Sequence, residues 1–363
     1  MIRRPPRSTQ GVSSAASDVY KRQAHTNILF SSGTTGNPKA IPWDHLTPIK
    51  CAVDAHLLQD VQPGETIAWP TSLGWMMGPW LIFATLINRG TIALYGDLPT
   101  SRAFGEFVQD ARINMLGVVP NMVRQWRESN CMEGLDWSNI RCYRSTGECS
   151  NANDMFYLMY LAGYRPIIEY CGGTEIGGGY ITSTIVQPNI PSAFSTPALG
   201  IDLVILDDEG QTADSGELFL VPPSMGLSRH LLNGDHHEVY YAQVPCDPEG
   251  RPLRRHGDYF ERLRCGNSSN LEYYRALGRV DDTMNLGGVK VGSAEIERVL
   301  NRLQGLDETA AVAINPHGGG PSQLVIFTVA GAGLPTTPDD LRKKMQATIK
   351  RELNPLFRVH DVC

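Results

Sequence analysis

The sequence predicts an α/β protein in which helices cross over a sheet, followed by a β-rich region and a small α+β region. Three observations lead to this fold class. Apolar strand-like runs alternate with helix-like segments up to about residue 196. Short strand pairs with polar turns follow from about residue 197, and a β-α-β-like block begins near residue 280.

The first region contains a regular succession of elements. The apolar run TNILFS (26–31) stops at a Gly-rich loop, which predicts a buried strand. GPWLIFATLINRG predicts a packed helix ending at Gly90, and GTIALYG predicts the strand after it. The same order recurs in FGEFVQDARI and NMLGVVP, and YRPIIEYC predicts a strand that enters a second Gly-rich turn.

The later regions are richer in strands. GIDLVILDDEGQTADSGELFLV predicts two short strands around an Asp-Glu-Gly turn. SAEIERVLNRLQG predicts a helix with Ser293 as N-cap and Gly305 after its end. After the strands predicted by TAAVAI and QLVIFTVA, the segment TPDDLRKKMQATIKREL predicts a helix with Thr337 as N-cap and Pro338 as its first residue.

The composition argues against several classes of protein. The formal charge is −6 and no basic block follows residue 23, so a nucleic-acid partner is not expected. The longest apolar run, Trp80–Ile87, is too short to span a bilayer, so no transmembrane segment is expected. The eight Cys are scattered without a CxxC pair, which argues against a zinc ribbon or a disulfide scaffold and favours a reducing compartment.

Residues 1–23 differ in character from the rest of the chain. They are basic, rich in Arg and Ser, and nearly devoid of large apolar residues. One interpretation is a transit peptide. The other, which we favour, is an artefact, because the string closely resembles a translated sequencing-adapter sequence. We therefore expect the native fold to begin near Ala24.

The stretch FSSGTTGNPKA (30–40) indicates an anion-binding loop. It lacks the GxxxxGK[ST] pattern of a Walker A loop. Backbone amides of a Gly-rich turn, several hydroxyls and Lys39 can nevertheless hold a polyphosphate. The alternative, a flexible linker, fits poorly with the apolar run before the loop and the Lys after it.

Three further segments carry residues suited to a nucleotide site. CGGTEIGGG contains Thr174 and Glu175, and a carboxylate beside a phosphate loop is a natural Mg²⁺ ligand. RHGDYFER contains Asp258, which we expect in a turn where it accepts two ribose hydroxyls. GRVDDTMNLGGVKVG combines Arg279 and Lys290 with a Gly-Gly pair.

Taken together and in this order, the segments resemble the adenylate-forming superfamily, which includes acyl-CoA synthetases, luciferases and peptide-synthetase adenylation domains. AIPWDHLTPIKCA, CMEGLDW, FSTPALG and DDTMNLGGVK resemble the acetyl-CoA-synthetase-like branch that contains plant peroxisomal acyl-activating enzymes. The resemblance implies a large N-terminal domain, with an α/β part over 24–196 and a β-rich subdomain over 197–279. It also implies a small C-terminal lid domain over 280–363, and both domains are expected to be incomplete.

The resemblance implies roles for individual residues. The ATP/AMP-binding residues would be Ser31, Ser32, Gly33, Thr34, Thr35, Gly36, Lys39, Gly147, Glu148, Glu169, Tyr170, Cys171, Gly172, Gly173, Thr174, Asp258 and Arg279. Thr174, Glu175 and Lys290 would be catalytic, with Glu175 as the Mg²⁺ ligand. Asp281 would be the hinge, and Gly287, Gly288 and Lys290 would form the coenzyme A region.

The implied reaction has two steps. A carboxylic acid reacts with ATP to give an acyl-adenylate and pyrophosphate, and coenzyme A then takes the acyl group as a thioester. Positioning and charge neutralisation dominate such phosphoryl transfer, which fits a site without a nucleophile triad. Two alternatives stay open: an adenylating enzyme with another acceptor, and a nucleotide-binding remnant without catalysis.

The acyl pocket is expected to be larger than one for acetate. In acetate-specific relatives a Trp two residues before the motif Thr closes the pocket, and this chain has Gly172 there. Trp75, Met76, Met77 and Thr146 are the other predicted wall residues. For the Met pair, ordinary core packing is the alternative interpretation.

Two segments of the family pattern are absent from this sequence. The long segment before the phosphate loop is missing, and so is the C-terminal loop whose Lys contacts the α-phosphate during adenylation. We therefore expect a fragment with weak or no activity.

The resemblance suggests a peroxisomal location, and the alternative is the cytoplasm. Two metal-like or esterase-like strings, 235–238 and 317–320, are interpreted as loops.

Overall fold

We analysed a computed structural model, which describes residues 24–31, 38–247, 249–264, 271–280, 283–316, 320–331 and 337–363. The expectations for residues 1–23, for 32–36 of the Gly-rich loop, for Asp281 and for most of the string 317–320 lie outside these residues. No helix in the described ranges is both long and apolar enough to cross a membrane.

The strands are β1 His25–Ser31, β2 Lys39–Asp44, β3 Thr66–Ala68, β4 Thr91–Ile92, β5 Met115–Val118, β6 Cys142–Ser145, β7 Ile167–Gly173, β8 Gly178–Thr182, β9 Thr196–Pro197, β10 Asp202–Leu206, β11 Ser215–Val221, β12 Arg254–Arg264, β13 Glu272–Arg279, β14 Thr283–Leu286, β15 Val289–Gly292, β16 Leu306–Ile314, β17 Gln323–Ala330 and β18 Val359–Val362. The helices are α1 Leu46–Val53, α2 Met77–Ile87, α3 Arg102–Asp110, α4 Pro120–Ser129, α5 Ala152–Leu161, α6 His236–Tyr240, α7 Ser293–Leu300 and α8 Pro338–Glu352, and a π-helical turn over Asp54–Leu58 continues α1.

The largest sheet in the described chain has the strand order β4-β3-β5-β6-β7-β8-β9. Strands β4 to β7 run parallel, and β8 and β9 are antiparallel additions. Helices α2 to α5 cross over between successive parallel strands, as the alternating sequence pattern predicted. On β5, Met115 packs in one apolar cluster while Leu116 and Val118 pack in another, so the sheet is covered on both faces.

Strands β10 to β13 form an antiparallel sheet in sequence order. The C-terminal part combines the β14–β15 hairpin with the sheet β16-β17-β18, against which α7 and α8 pack. On α8, Leu341, Met345 and Ile349 recur at i, i+4 and i+8 and are buried in this core. The elements follow the predicted regions, while the domain boundaries at residues 197 and 280 stay predictions.

Several local predictions agree with the structure and others require correction. Thr337 caps α8, because its hydroxyl accepts the backbone N–H of Asp340. The N-cap of α7 is Gly292 rather than Ser293, which is the first helical residue. The helix also ends at Leu300 instead of continuing to Gly305, since the chain then folds into turns in which Leu303 N–H donates to the Leu300 carbonyl.

The predicted buried strand β1 is a second correction. It pairs with β2 as a separate antiparallel hairpin instead of joining the large sheet. Only Leu29 of β1 is fully buried, and Phe30 is 63% exposed. An apolar run alone does not distinguish a central strand from a hairpin strand, because both keep one face on the core.

A buried ion pair joins α1 to the large sheet. Lys50 Nζ lies 2.5 Å from Asp54 Oδ1, with the two side chains 1% and 0% exposed. Lys50 also donates to the Gly179 carbonyl, and Asp54 Oδ2 accepts from the Tyr170 hydroxyl and from Gly179 N–H. The Trp80 indole donates to the same Tyr170 hydroxyl. The pair is therefore hydrogen-bonded on both sides, as a buried pair must be.

We predict that Lys50→Met lowers the free energy of unfolding by about 3–5 kcal/mol, because it leaves Asp54 buried without its cation. Arg102→Met is the matched control, since Arg102 and Glu106 have the same i,i+4 spacing but are 51% and 53% exposed. The control is expected to cost less than about 1 kcal/mol. Urea unfolding of both variants measures the difference, and equal losses would contradict the prediction.

Candidate active site

The β1–β2 hairpin, which carries both ends of the Gly-rich loop, contacts the Thr174 turn. Ser31 and Lys39 are paired across the β1–β2 hairpin, so they face each other at its tip. At the other end of β2, the Trp43 indole donates to the Thr174 carbonyl at 2.8 Å. The hairpin is also tied to the chain near Asn233, whose side-chain amide accepts from Ala40 N–H and donates to the Pro38 carbonyl.

The segment EYCGGTE passes from strand β7 into the tight turn before β8. Glu169 to Gly173 lie in β7, and Thr174 and Glu175 occupy the turn. Ile176 N–H donates to the Gly173 carbonyl at 3.0 Å, which closes the turn. The peptide bonds that carry Thr174 and Glu175 are therefore anchored from two directions, by Trp43 and by Ser228 N–H, which donates to the Glu175 carbonyl.

The predicted metal carboxylate and the predicted ribose carboxylate are connected through a histidine. His256 Nδ1 lies 3.5 Å from Glu175 Oε1, and His256 Nε2 lies 3.3 Å from Asp258 Oδ2. Asp258 also accepts from the Tyr180 hydroxyl at 2.6 Å and from Arg279 Nη1 at 2.9 Å. The row Glu175–His256–Asp258–Arg279 thus joins three residues predicted from separate segments.

A bulge in strand β12 places His256 in this row. The register of β12 against β11 shifts between the pairs Leu218–Asp258 and Phe219–Arg255. Gly257, within the bulge, has φ +85°, a left-handed conformation that favours glycine. Bulges reorient side chains at functional sites. Asp258 itself lies within β12, so the expectation that it sits in a turn between strands was wrong.

His256 and Tyr180 are not among the residues predicted from the sequence, although the sequence contains a signal for His256. His256 stands two residues before Asp258 in the quoted segment RHGDYFER, a spacing that places side chains on one face of a strand. Tyr180 carries no such local signal. Its hydroxyl meets Asp258 only because β8 and β12 come together in the fold.

Two further carboxyl groups among the predicted residues have a raised pKa. Burial raises the pKa of Glu169 to about 7, although the Ser150 hydroxyl donates to it at 2.6 Å and opposes the increase. Burial also raises the pKa of Glu148 to about 7, against the lowering effect of backbone N–H groups of Gly288, Asn121 and Gly287. Both carboxyls are therefore partly protonated near neutral pH.

The Glu148 contacts bring two predicted segments together. Gly287 and Gly288 form the turn of the β14–β15 hairpin, and their backbone N–H groups bind the Glu148 carboxylate. Gly147 is so close to this turn that a Cβ there would lie 3.0 Å from the Gly288 Cα. The predicted ATP/AMP-binding residues Gly147 and Glu148 therefore contact the predicted coenzyme A region directly.

The predicted acyl-pocket residues lie around the start of α2 and the end of β7. Met76 and Met77 are partly buried against the apolar cluster that contains Trp80 and Tyr170, and Trp75 is half-buried. The Thr146 hydroxyl donates to the Tyr170 carbonyl at 2.5 Å, which fixes it against β7. The Met contacts fit the alternative of core packing as well as a pocket wall.

Gly172 requires a correction to the pocket argument. A Cβ at this position would overlap the carbonyl oxygen of Gly178 on the adjacent strand β8. The glycine is explained by close approach of two backbones. Its Cβ direction is filled by β8, so the missing indole does not by itself leave a deeper cavity, and Gly172→Trp would displace backbone.

Two cavities border the predicted residues. One of about 220 Å³ has Thr174, Trp43 and Ser228 among its walls. Another, of about 200 Å³, lies between Arg279 on β13 and residues of the C-terminal part such as Asn285 and Asn315. The second cavity adjoins the predicted coenzyme A region.

The remaining predictions concern Lys290, residues 235–238 and metal binding. Lys290 lies on β15, opposite Asn285 in the hairpin. Residues 235–238, predicted as a loop, instead begin the short helix α6, in which the Asp235 side chain accepts the N–H groups of His237 and Glu238. Across the described residues, no cluster of three or more His, Cys, Asp or Glu is arranged to hold a metal ion.

The family to which the chain belongs follows from a match over most of its N-terminal region. Residues 6–227 match the family model described as AMP-binding enzyme. The chain therefore belongs to the AMP-binding enzyme family, and the resemblance inferred from its sequence motifs is confirmed.

Similar curated proteins come from plants. The chain is 52% identical over 347 residues to the probable acyl-activating enzyme 17, peroxisomal, of Arabidopsis thaliana. It is 50% identical over 347 residues to hexanoyl-CoA synthase of Cannabis sativa. Each alignment covers 93% of this chain and 47% of the relative. The chain thus spans about half the length of the curated relatives it matches.

Solved structures confirm the fold class. Acetoacetyl-CoA synthetase from Streptomyces lividans superposes with a TM-score of 0.63 at 26% identity, covering 92% of this chain and 51% of that chain. The amide bond synthetase McbA from Marinactinospora thermotolerans gives a TM-score of 0.73 at 22% identity, covering 92% and 64%. The second likeness supports the fold alone.

We predict that Gly172→Ala destabilises the protein by about 1–3 kcal/mol, because its Cβ meets β8 backbone and neither strand can yield without loss of pairing. Gly96→Ala is the control, since a Cβ there meets no atom within 4 Å. Thermal unfolding of both variants measures the difference. A Gly172→Ala protein as stable as the control would restore the idea of an open pocket at this position.

We predict that Glu169→Gln changes how stability depends on pH. A pKa of about 7 in the folded state, above the usual 4.5, means that Glu169 favours folding at low pH and that this contribution is lost as pH rises through 7. Relative to the Gln variant, the wild type should lose roughly 3 kcal/mol between pH 5 and 8.5. Urea unfolding at both pH values tests this, with the exposed-site variant Glu106→Gln as control. A constant difference between wild type and Glu169→Gln would contradict the prediction.

Proposed function

We propose that the protein to which this chain belongs activates a carboxylic acid with ATP, forming an acyl-adenylate, and then transfers the acyl group to coenzyme A. The observation that carries the proposal is the row Glu175–His256–Asp258–Arg279 beside the Thr174 turn. These side chains offer a carboxylate for a metal ion, a carboxylate for ribose and a cation within one continuous network. Family membership gives the reaction class, and the row supplies groups suited to it.

In the first step, a substrate carboxylate oxygen attacks the α-phosphorus of ATP, and the bond to the β-phosphate oxygen breaks. Pyrophosphate leaves with the electron pair. We infer that Asp258 and Arg279 hold the ribose end, and that the Thr174 hydroxyl and the Lys39 hairpin hold the phosphates. With both ends of the nucleotide fixed, the α-phosphate stays in line with the acid.

Glu175 is the residue suited to hold Mg²⁺. Its carboxylate is an oxygen donor on a turn fixed at both sides, and a Mg²⁺ site commonly uses one or two carboxylates plus substrate phosphates. A bound Mg²⁺ would supply charge neutralisation on the phosphates. His256, at 3.5 Å from Glu175 Oε1, orients the carboxylate.

In the second step, the thiolate of coenzyme A attacks the acyl carbon to form the thioester, and AMP leaves with the electron pair of the mixed anhydride bond. The turn at Gly287 and Gly288 and the neighbouring 200 Å³ cavity are the proposed coenzyme A region. Lys290 on the same hairpin is proposed to act there, since it stands two residues after Gly288.

The proposed substrate is an acid longer than acetate. The support is the 50% identity to a relative named hexanoyl-CoA synthase. Gly172 gives no support for a larger pocket, because backbone of β8 fills the space in front of it. A peroxisomal location is proposed on the names of two plant relatives.

Carboxylate-dependent ATP–pyrophosphate exchange tests the proposal, with acids from acetate to long-chain and aryl acids, with and without coenzyme A. Because the curated relatives are about twice as long, the assay uses both this chain and the longest open reading frame that contains it. From the longer protein we expect exchange with a medium-chain acid and a thioester product when coenzyme A is added, and from this chain weak or no exchange. Asp258→Asn should lower kcat/KM for ATP about 10- to 100-fold, because charged hydrogen bonds to ribose are lost. Asp208→Asn, at an exposed turn, should leave it unchanged.

Other outcomes distinguish the alternatives. Exchange without a coenzyme A-dependent product would favour an enzyme with a different acceptor. Nucleotide binding without exchange, for every acid and for both proteins, would contradict the proposed activity and favour a nucleotide-binding remnant.

A further inference from the structure

Arg254 is a buried arginine that the family motifs do not include. It is the first residue of β12, two positions before His256, and its side chain is 0% exposed. Nη2 donates to the Ser228 hydroxyl at 2.9 Å, while Nε and Nη1 have no hydrogen-bond partner among the described residues. A guanidinium with donors unused inside a protein is costly, so a bound anion is the expected partner.

A second buried polar group beside Arg254 is also unused. The guanidinium lies 4.1 Å from the centre of the Tyr240 ring, and the Tyr240 hydroxyl has no hydrogen-bond partner among the described residues. Burial raises the pKa of this hydroxyl well above its usual value, so it remains a proton donor at any physiological pH. Tyr240 and Arg254 thus present unused donors side by side.

A second cation reaches the same ring. Lys39 Nζ lies 5.2 Å from the centre of the Tyr240 ring, at the base of the Gly-rich loop. Lys39 and Arg254 come from segments more than 200 residues apart, and both lie over one aromatic ring. Positive charge is therefore concentrated at this point of the site.

Ser228 connects this cluster to the main chain of Glu175, the residue proposed to hold the metal ion. Its hydroxyl accepts from Arg254, and its N–H donates to the Glu175 carbonyl at 2.7 Å. Glu175 and Arg254 also act in opposite directions on the pKa of Tyr240, the first raising and the second lowering it. Arg254 is therefore linked through Ser228 to the main chain of Glu175, and Tyr240 lies within electrostatic range of both residues.

We propose that Arg254, with Lys39 and the Tyr240 hydroxyl, binds the pyrophosphate end of ATP and receives the negative charge that develops there when the bond to the α-phosphate breaks. This inference rests on the proposed function and adds residues outside its motifs. A guanidinium suits the task, because its planar donors match phosphate oxygens and it remains charged when desolvated. Of the two cations, Arg254 is fully buried and Lys39 is half-buried.

The neighbouring residue offers a matched control. Arg255 lies on the same strand, but its guanidinium pairs with the Glu217 carboxylate and is 41% exposed. Removing either arginine changes the protein charge by the same amount. Only Arg254 has unused donors next to Tyr240, so only its loss should affect a phosphate ligand.

The test compares two probes on the full chain by calorimetry: inorganic pyrophosphate with Mg²⁺, and AMP. We expect Arg254→Met to weaken pyrophosphate binding at least tenfold while AMP affinity changes less than twofold. Arg254→Lys, which keeps the charge but not the planar donors, should give an intermediate loss. Arg255→Met should leave both affinities unchanged.

A folded Arg254→Met protein that binds pyrophosphate as well as the wild type would overturn the proposal, as would equal losses for pyrophosphate and AMP. If Arg254→Met does not fold, Arg254→Lys and Tyr240→Phe decide the question. Both should weaken pyrophosphate binding by severalfold, and unchanged affinity in both would reject the subsite.

The two proposals fail separately. A pyrophosphate-specific loss in a protein that shows no exchange with any acid would support the subsite and contradict the activity. If the wild type shows exchange activity and Arg254→Met leaves the affinity for pyrophosphate unchanged, the result would support the activity and reject the subsite.

Discussion

The buried pair Lys50–Asp54 is the interaction on which the geometry of the site depends. It holds α1 against strands β7 and β8 of the large sheet, because Asp54 accepts hydrogen bonds from the Tyr170 hydroxyl of β7 and from Gly179 N–H of β8. The turn with Thr174 and Glu175 connects these two strands. Fixing both strands to one buried carboxylate therefore fixes the turn between them. A buried ion pair gives little net stability, but it defines one arrangement because both partners must be satisfied.

The same constraint explains the glycines of EYCGGTEIGGG. A Cβ at Gly179 would overlap the Tyr170 ring, and one at Gly172 would overlap the carbonyl of Gly178. The glycines let β7, β8 and α1 approach closely enough for the Asp54 network to close. Tight backbone packing is therefore enough to explain glycine at these two positions. The nucleotide-binding role predicted for Gly172, like those of Thr174 and Glu175, stays a prediction.

The sequence was sufficient for the parts of the fold that depend on local pattern. Period-3.6 apolar spacing gave α8 together with its Thr337 cap, and apolar runs gave β5 and β7. Segment order gave the family. The sequence was insufficient for features that depend on contacts between distant elements. The hairpin partner of β1, the bulge at Gly257 and the meeting of Tyr180 with Asp258 all depend on contacts between segments far apart in the chain. Arg254 was missed for the same reason, because its burial beside Tyr240 is a property of the fold.

Charge is distributed unevenly among the residues of the site. Burial raises the pKa of Glu148 and of Glu169 to about 7, so both carboxyls are partly protonated near neutral pH. The negative charge of Asp258 is balanced by Arg279. Lys39 and Arg254 both lie over the Tyr240 ring, so positive charge is concentrated there. A nucleoside triphosphate, the substrate of the proposed function, is strongly anionic at its phosphate end, and these two cations are suited to that end. The Gly287–Gly288 turn binds the Glu148 carboxyl, so the C-terminal part contacts the site through a group other than the cations proposed for the phosphates.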